Sequence, residues 1–274
     1  MRQIRIFRIF LEIIFFIATA AYLLVGPQLN PMDVISVKSQ IILSLGSSAI
    51  GALLVWIVLT LLFGRVYCSS VCPVGTLSDL FIRLRRNIRP MNLPFRYRQR
   101  KKWSVHIMLV YFICVMAGIA VLNWAIEPWN IMCNIAAVYN PSAIESTWIS
   151  LGIGSAVGIA AGLAALVIIA AMSLTSGRRY CTDICPIGTA MGLLHEYTIY
   201  HIEIDPDVCT HCGDCETICK SECIKVSQNM VDNARCVRCF DCLAVCRDEA
   251  IRFQINRNRP TTPLFQKTKT TGKV

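Results

Sequence analysis

The chain has 274 residues, 55% of them hydrophobic, and a formal charge of +10. Ordinary soluble domains are about 45–50% apolar, so the composition excludes a simple water-soluble globule. Residues 203–253 hold six Lys/Arg against ten Asp/Glu, which concentrates the basic excess elsewhere. No aromatic–basic interleaving accompanies it, so it points to membrane topology and anionic lipid rather than to nucleic acid.

Residues 9–26 are almost wholly apolar and follow Arg2, Arg5 and Arg8. A cleaved signal peptide is the alternative, with Ala18-Thr19-Ala20 as a cleavage-like site. Apolar residues that continue through Val25 argue for a retained span. Glu12 sits one turn after Arg8, near enough for a local pair. Three further spans are predicted at 41–63, 104–124 and 149–173, each near the ~20 residues that cross hydrocarbon. The stretch 83–102 is rich in Lys and Arg, and Arg178 and Arg179 follow the fourth span. The loop 27–40 offers only Lys38, and 125–148 offers none. This bias places both termini in the cytoplasm.

A repeat pairs the spans. Gly64-Arg65-Val66-Tyr67-Cys68-Ser69-Ser70-Val71-Cys72-Pro73-Val74-Gly75-Thr76 matches Gly177-Arg178-Arg179-Tyr180-Cys181-Thr182-Asp183-Ile184-Cys185-Pro186-Ile187-Gly188-Thr189 at eight of thirteen positions. Each copy ends a pair of spans, which predicts two parallel helical hairpins with function at their shared interface. Cleavage of the first span would remove half of the first repeat. Pro73 and Pro186 suit the first turn of a short helix. Leu77, Leu80, Phe81 and Leu84 would then share one face, opposite Arg83, Arg85 and Arg86, in an interfacial helix. Cys72 and Cys185 would stand at helix N-termini, where the dipole favours thiolate.

His106 is the one histidine in a predicted span, too few for a bis-histidine haem. It is expected to bond a neighbouring helix or face the interface, and Cys114 to be a small core residue. The 125–148 stretch carries Trp124, Glu127, Pro128, Trp129, Pro141 and Trp148, which reads as an aromatic belt at the outer interface. Glu127 is expected there as a solvated acid, and Cys133 as a lone outward-facing thiol.

The soluble head begins near residue 203. Cys209-x2-Cys212-x2-Cys215-x3-Cys219 is followed, sixteen residues later, by Cys236-x2-Cys239-x2-Cys242-x3-Cys246. This is the two-cluster ferredoxin spacing, in which the fourth cysteine of each run serves the other cluster. Cys209, Cys212, Cys215 and Cys246 are expected to hold one 4Fe-4S cube, and Cys236, Cys239, Cys242 and Cys219 the second. Zinc knuckles or disulfides explain a doubled run of this spacing less well. The tail at 257–274 reads as a polar, basic, disordered segment. The domains are therefore a four-span all-α membrane part (1–202), an α+β ferredoxin-like head (203–256) and the tail. Two cysteines do not hold a cluster alone, so Cys68, Cys72, Cys181 and Cys185 are expected to meet and share a third iron–sulfur centre. Redox-active dithiols or partner contacts are the alternative.

Four spans, two Cys-x3-Cys-Pro motifs and a two-cluster segment resemble the NapH-type membrane-bound polyferredoxins, from about residue 5 to 253. The resemblance extends to the membrane part of the NosR regulators and to the CcoG-type polyferredoxins. It implies a bacterial inner-membrane protein that moves electrons between membrane quinol and another iron–sulfur or cytochrome protein. Glu127 would then be a candidate acceptor for a hydroquinone proton. A cupric or metal reductase acting in metal-cofactor assembly, or a redox-sensing assembly factor, are the competing readings. One departure is visible: ferredoxins usually place proline after the fourth cysteine, and here Lys220 and Arg247 stand there. Cys223 falls where a small packing residue is usual, with a spare ligand as the other reading.

Overall fold

The computed structural model describes residues 2–25, 50–88, 94–117, 126–137 and 155–255. Ahead of the cysteine-rich head the helices are α1 (Arg2–Val25), α2 (Ile50–Phe63), α3 (Val66–Ser70) and α4 (Pro73–Asn87). They continue with α5 (Trp103–Met116), α6 (Pro128–Ala137), α7 (Ser155–Ser176) and α8 (Pro186–Leu193). Within α1, Gln3–Leu23 is long and apolar enough to cross hydrocarbon. The apolar stretches Leu54–Phe63, Trp103–Met116 and Ala160–Ser176 are shorter. The predicted span residues 41–49, 118–124 and 149–154 lie outside the described residues, as do Trp124, Pro141, Trp148 and the tail.

The repeat is visible in the backbone. After α2 and α7 the chain turns at Gly64 (φ 78°) and Gly177 (φ 61°), left-handed positions that end helices without a Cβ penalty. One turn follows in each copy: α3 in the first, a π-helical turn over Tyr180–Ile184 in the second. Cys72 and Cys185 then cap α4 and α8, each with proline in the first helical turn.

On α4, Leu80 and Leu84 are exposed together, while Val74, Ser78, Asp79, Ile82 and Arg85 are buried, so Arg85 leaves the outward polar face on which it is expected. Asp79 turns inward because its charge is paired there, and the apolar row is left facing outward. A further expectation is corrected within residues 126–137, where Glu127 and Trp129 do not lie at a solvated boundary. The Tyr180 hydroxyl donates to the carbonyl of Ile126, so α6 starts beside the second cysteine motif. It then runs along α7, with the Asn134 carbonyl against Gly162, where a Cβ would stand only 2.0 Å away. Small residues at such a contact let two helices approach closely. Glu127 and Trp129 are therefore buried, and Cys133 packs inward beside them. His106 is exposed and bonds the Lys102 carbonyl of its own helix; Cys114 is half-buried rather than core.

The head pairs β1 (Tyr200–Ile204) with β4 (Ile251–Ile255) and β2 (Ile224–Lys225) with β3 (Met230–Val231), both antiparallel. Short helices α9 (Asp214–Ile218) and α10 (Asp241–Val245) carry Cys215 and Cys242. β1 begins at Tyr200, just ahead of the expected boundary, and Ile199 N–H bonds the Leu61 carbonyl at the end of α2. Phe63, Tyr200 and Phe253 stack at 5.5 and 5.3 Å, with Phe240 edge-on to Phe253. A strap at 94–100 holds the opposite side. Phe95 N–H bonds the Thr217 carbonyl, Arg98 N–H bonds that of Glu222, and Arg235 reaches back to Arg98.

Candidate functional site

The two head runs wrap their cysteines with the same backbone. Left-handed residues recur at matched places: His211 and Arg238 before the second cysteine, Gly213 and Phe240 after it, Glu222 and Glu249 three beyond the fourth. Five of these six are not glycine, and each such residue costs about 1–2 kcal/mol. Alternating right- and left-handed residues turn successive N–H groups toward one point, the nest that iron–sulfur sites use.

The cysteines fall into three tetrads. Cys209, Cys212, Cys215 and Cys246 line one small cavity between β1, α9 and β4. Cys242 lies within electrostatic reach of Cys219, Cys236 and Cys239. Cys72 lies within reach of Cys68, Cys181 and Cys185, so the two repeats do bring their four thiols together. Among the described residues no three His, Cys, Asp or Glu side chains close on a single point as around one metal ion.

A reciprocal clamp holds the shared tetrad. Arg65 of the first repeat donates to the Cys181 carbonyl of the second, and Arg178 of the second donates to Cys68 of the first at 2.6 Å. Both guanidiniums are fully buried. Gly75 and Gly188 permit this: a Cβ on Gly75 would stand 2.3 Å from the Cys68 carbonyl, and one on Gly188 2.2 Å from that of Cys181. The Cys72 and Cys185 thiols sit at helix N-termini as expected, but burial outweighs the dipole and pushes both up; Cys181 is raised to about 11. Such thiols keep their protons unless a cation takes their place.

Positive charge surrounds the tetrads. Arg65, Arg178, Arg235 and Arg238 are among the largest fully buried side chains. Among the described residues Arg65 and Arg238 bond carbonyl and amide oxygens and pair with no carboxylate. A buried ion without a counter-charge costs several kcal/mol. Thiolate-bound cubes are anionic, so the donor set and the guanidiniums beside it fit iron–sulfur clusters at the shared and second tetrads, and at the first the four-cysteine donor set alone carries the fit.

The second tetrad touches the shared one. Cys239 and Val237 belong to the same apolar core as Cys68, Cys72, Cys181 and Cys185, together with Trp129, Ile131 and Met132. Arg65 also reaches the Ala234 carbonyl, and Arg235 approaches Asp183 at 3.6 Å. The first tetrad lies farther out, with Cys212 exposed. Sequence reading missed Glu127 as a member of this core. Its carboxylate accepts the N–H groups of Trp129 and Asn130 at 2.9 and 2.6 Å, and burial raises it to about 7.

Residues 45–92 and 159–197 match a protein family described as a 4Fe-4S binding domain. These two segments contain the Cys-x3-Cys-Pro motifs. The putative electron transport protein YccM of Escherichia coli is 25% identical over 186 residues, 65% of this chain and 47% of the relative. The ferredoxin-type protein NapH of Escherichia coli is 27% identical over 173 residues, 62% and 52%. The methylamine utilization ferredoxin-type protein MauN of Paracoccus denitrificans is 25% identical over 172 residues, 62% and 53%. The chain thus spans about half the length of the curated relatives it matches. No solved structure matches it.

Two outcomes are expected at this site. Gly75→Ala and Gly188→Ala should each destabilise the protein by about 1–3 kcal/mol through overpacking, although alanine is the better helix former; thermal unfolding in detergent measures it. Cys223 lies with its sulfur 3.4 Å from that of Cys219 and donates its backbone N–H to it, so with Cys219 as a thiolate its S–H becomes the donor. Cys223→Ala should keep the full iron content and lower the potential of the second head cluster. Loss of iron would make it a ligand instead. By its cysteine motifs and its similarities, the chain is a relative of the NapH-type polyferredoxins.

Proposed function

We propose that the protein is a membrane-anchored iron–sulfur electron-transfer protein that passes electrons between membrane quinol and a redox partner. The observation that carries this reading is the continuity of the tetrads. One buried core joins Cys68, Cys72, Cys181 and Cys185 to Cys239, and the head then leads outward to the exposed Cys212. Iron–sulfur clusters, when bound, supply one-electron carriers at fixed positions. The chain's part is to hold those positions, exclude water and neutralise charge. Val74, Val237 and Ile131 fill the space around the shared tetrad, and Arg65 and Arg178 bring positive charge to it.

Membrane insertion is supported by where apolar surface is left uncovered. Ile6, Phe7, Phe10 and Ile17 of α1, Leu54 and Val58 of α2, Ile113 and Met116 of α5, and Val167 and Ile168 of α7 are all exposed. Soluble monomers rarely show patches this extensive. A quinone is the two-electron reservoir that such a surface meets. Glu127, buried at the start of α6 between Trp129 and Tyr180, is placed to take a hydroquinone proton near the shared tetrad.

The Lys/Arg bias puts both termini and the head in the cytoplasm. A reporter fused after residue 256 should then be active only in its cytoplasmic form, and one inserted at Ser142 only in its periplasmic form. In nanodiscs, a short-chain hydroquinone should reduce the head clusters of the wild type. Cys68→Ser should block that reduction while dithionite still reduces the head. Equal hydroquinone reduction in both proteins would contradict this route.

A further inference from the structure

Lys220 stands where ferredoxins usually have proline, and the fold gives it a place that its counterpart Arg247 does not share. Arg247 is exposed. Lys220 is buried, with its ammonium 3.0 Å from Asp79 and 2.9 Å from Asp241. Asp79, on α4, also receives Arg178 at 2.7 Å and faces Arg8 at 3.7 Å. Asp241, at the start of α10, receives Arg5 of α1 at 2.9 Å. The Lys220 carbonyl meanwhile accepts the Arg178 N–H at 2.8 Å. Lys220 therefore ties the head to α4 and to the turn after α7, and through Asp241 it adjoins the Arg5 contact with α1.

The same ammonium borders the second tetrad. Lys220 follows Cys219 directly, and at Cys239 its charge opposes the larger negative influence of Asp241, its own ion-pair partner. A positive charge fixed in a buried site favours the more negative state of a nearby centre, and cluster potentials respond to such charges. We propose that Lys220 is a positioning residue that locks the head onto the membrane part and biases the second tetrad's cluster toward its reduced form. This rests on the iron–sulfur reading of Cys219, Cys236, Cys239 and Cys242.

The test uses full-length protein in nanodiscs, with iron per chain, redox-titrated EPR of the head clusters and backbone hydrogen exchange. Lys220→Met should lower the potential of the second cluster and speed exchange at residues 177–180 and 219–222. Lys220→Arg should stay near wild type, and Arg247→Met should leave the second cluster unmoved. Asp79→Asn removes a negative charge from the same site and should raise that potential. A purely structural role would move Lys220→Met and Asp79→Asn in one direction, and that result overturns the tuning. Unchanged exchange in Lys220→Met overturns the docking. If Lys220→Met does not fold, the sign of the Asp79→Asn shift decides against the unmoved Lys220→Arg. A wild type without iron would instead sink the cluster reading itself.

Discussion

Two buried guanidiniums, exchanged across the repeat, hold the centre of this molecule together. Arg65 and Arg178 each leave their own repeat and bond the carbonyl of the first cysteine in the other. Neither Cys-x3-Cys turn is complete without its opposite number. Gly75 and Gly188 bring the following helices close enough for the exchange. Each arginine then continues outward, Arg65 to the head at Ala234 and Arg178 to Asp79. The clamp thus fixes three things at once: the pairing of the repeats, the grouping of four thiols and the seat of the head.

Electrostatics explains why so many charges are buried. Burial alone would raise the Asp79 carboxyl, yet Arg178, Lys220 and Arg8 hold it well below the usual carboxylate range. Glu12 joins the same network, 3.2 Å from Arg8 and 3.7 Å from Arg178. Breaking one member of such a network costs about 3–5 kcal/mol, because its partners are left uncompensated. Arg65 and Arg238 have no acidic partner among the described residues and face thiols instead. An apolar core lined with cysteines and unpaired guanidiniums is a poor protein interior on its own. With anionic clusters in the tetrads it balances.

Much of this was legible in the sequence because cluster ligands and helix ends follow local rules. The doubled cysteine spacing suggests both head tetrads, and the thirteen-residue repeat suggests a pairing of Cys68, Cys72, Cys181 and Cys185, which share one core in the fold. What could not be read depends on partners far along the chain. Lys220 was visible as a departure from ferredoxin habit, but its reason is Asp79, 141 residues away. Glu127 and Trp129 were assigned to an outer belt because composition and charge bias do not reveal a helix that folds back along its neighbour. Arg85 of α4 was expected on the outward face with Arg83 and Arg86, because helical periodicity does not reveal which charge a distant residue draws inward. The family match to the repeats supports a cluster role for motifs whose two cysteines are ambiguous alone.

The central claim is that the two repeats share one iron–sulfur centre, and metal stoichiometry tests it most directly. Iron and acid-labile sulfide per chain would be measured in anaerobically purified full-length wild type, Cys68→Ser and Cys181→Ser. Both variants should lose the same increment, about four irons for one cube, and keep the two head clusters, since either loss opens one common site. Equal iron in all three proteins would contradict a shared centre and leave these cysteines to thiol chemistry or partner contact.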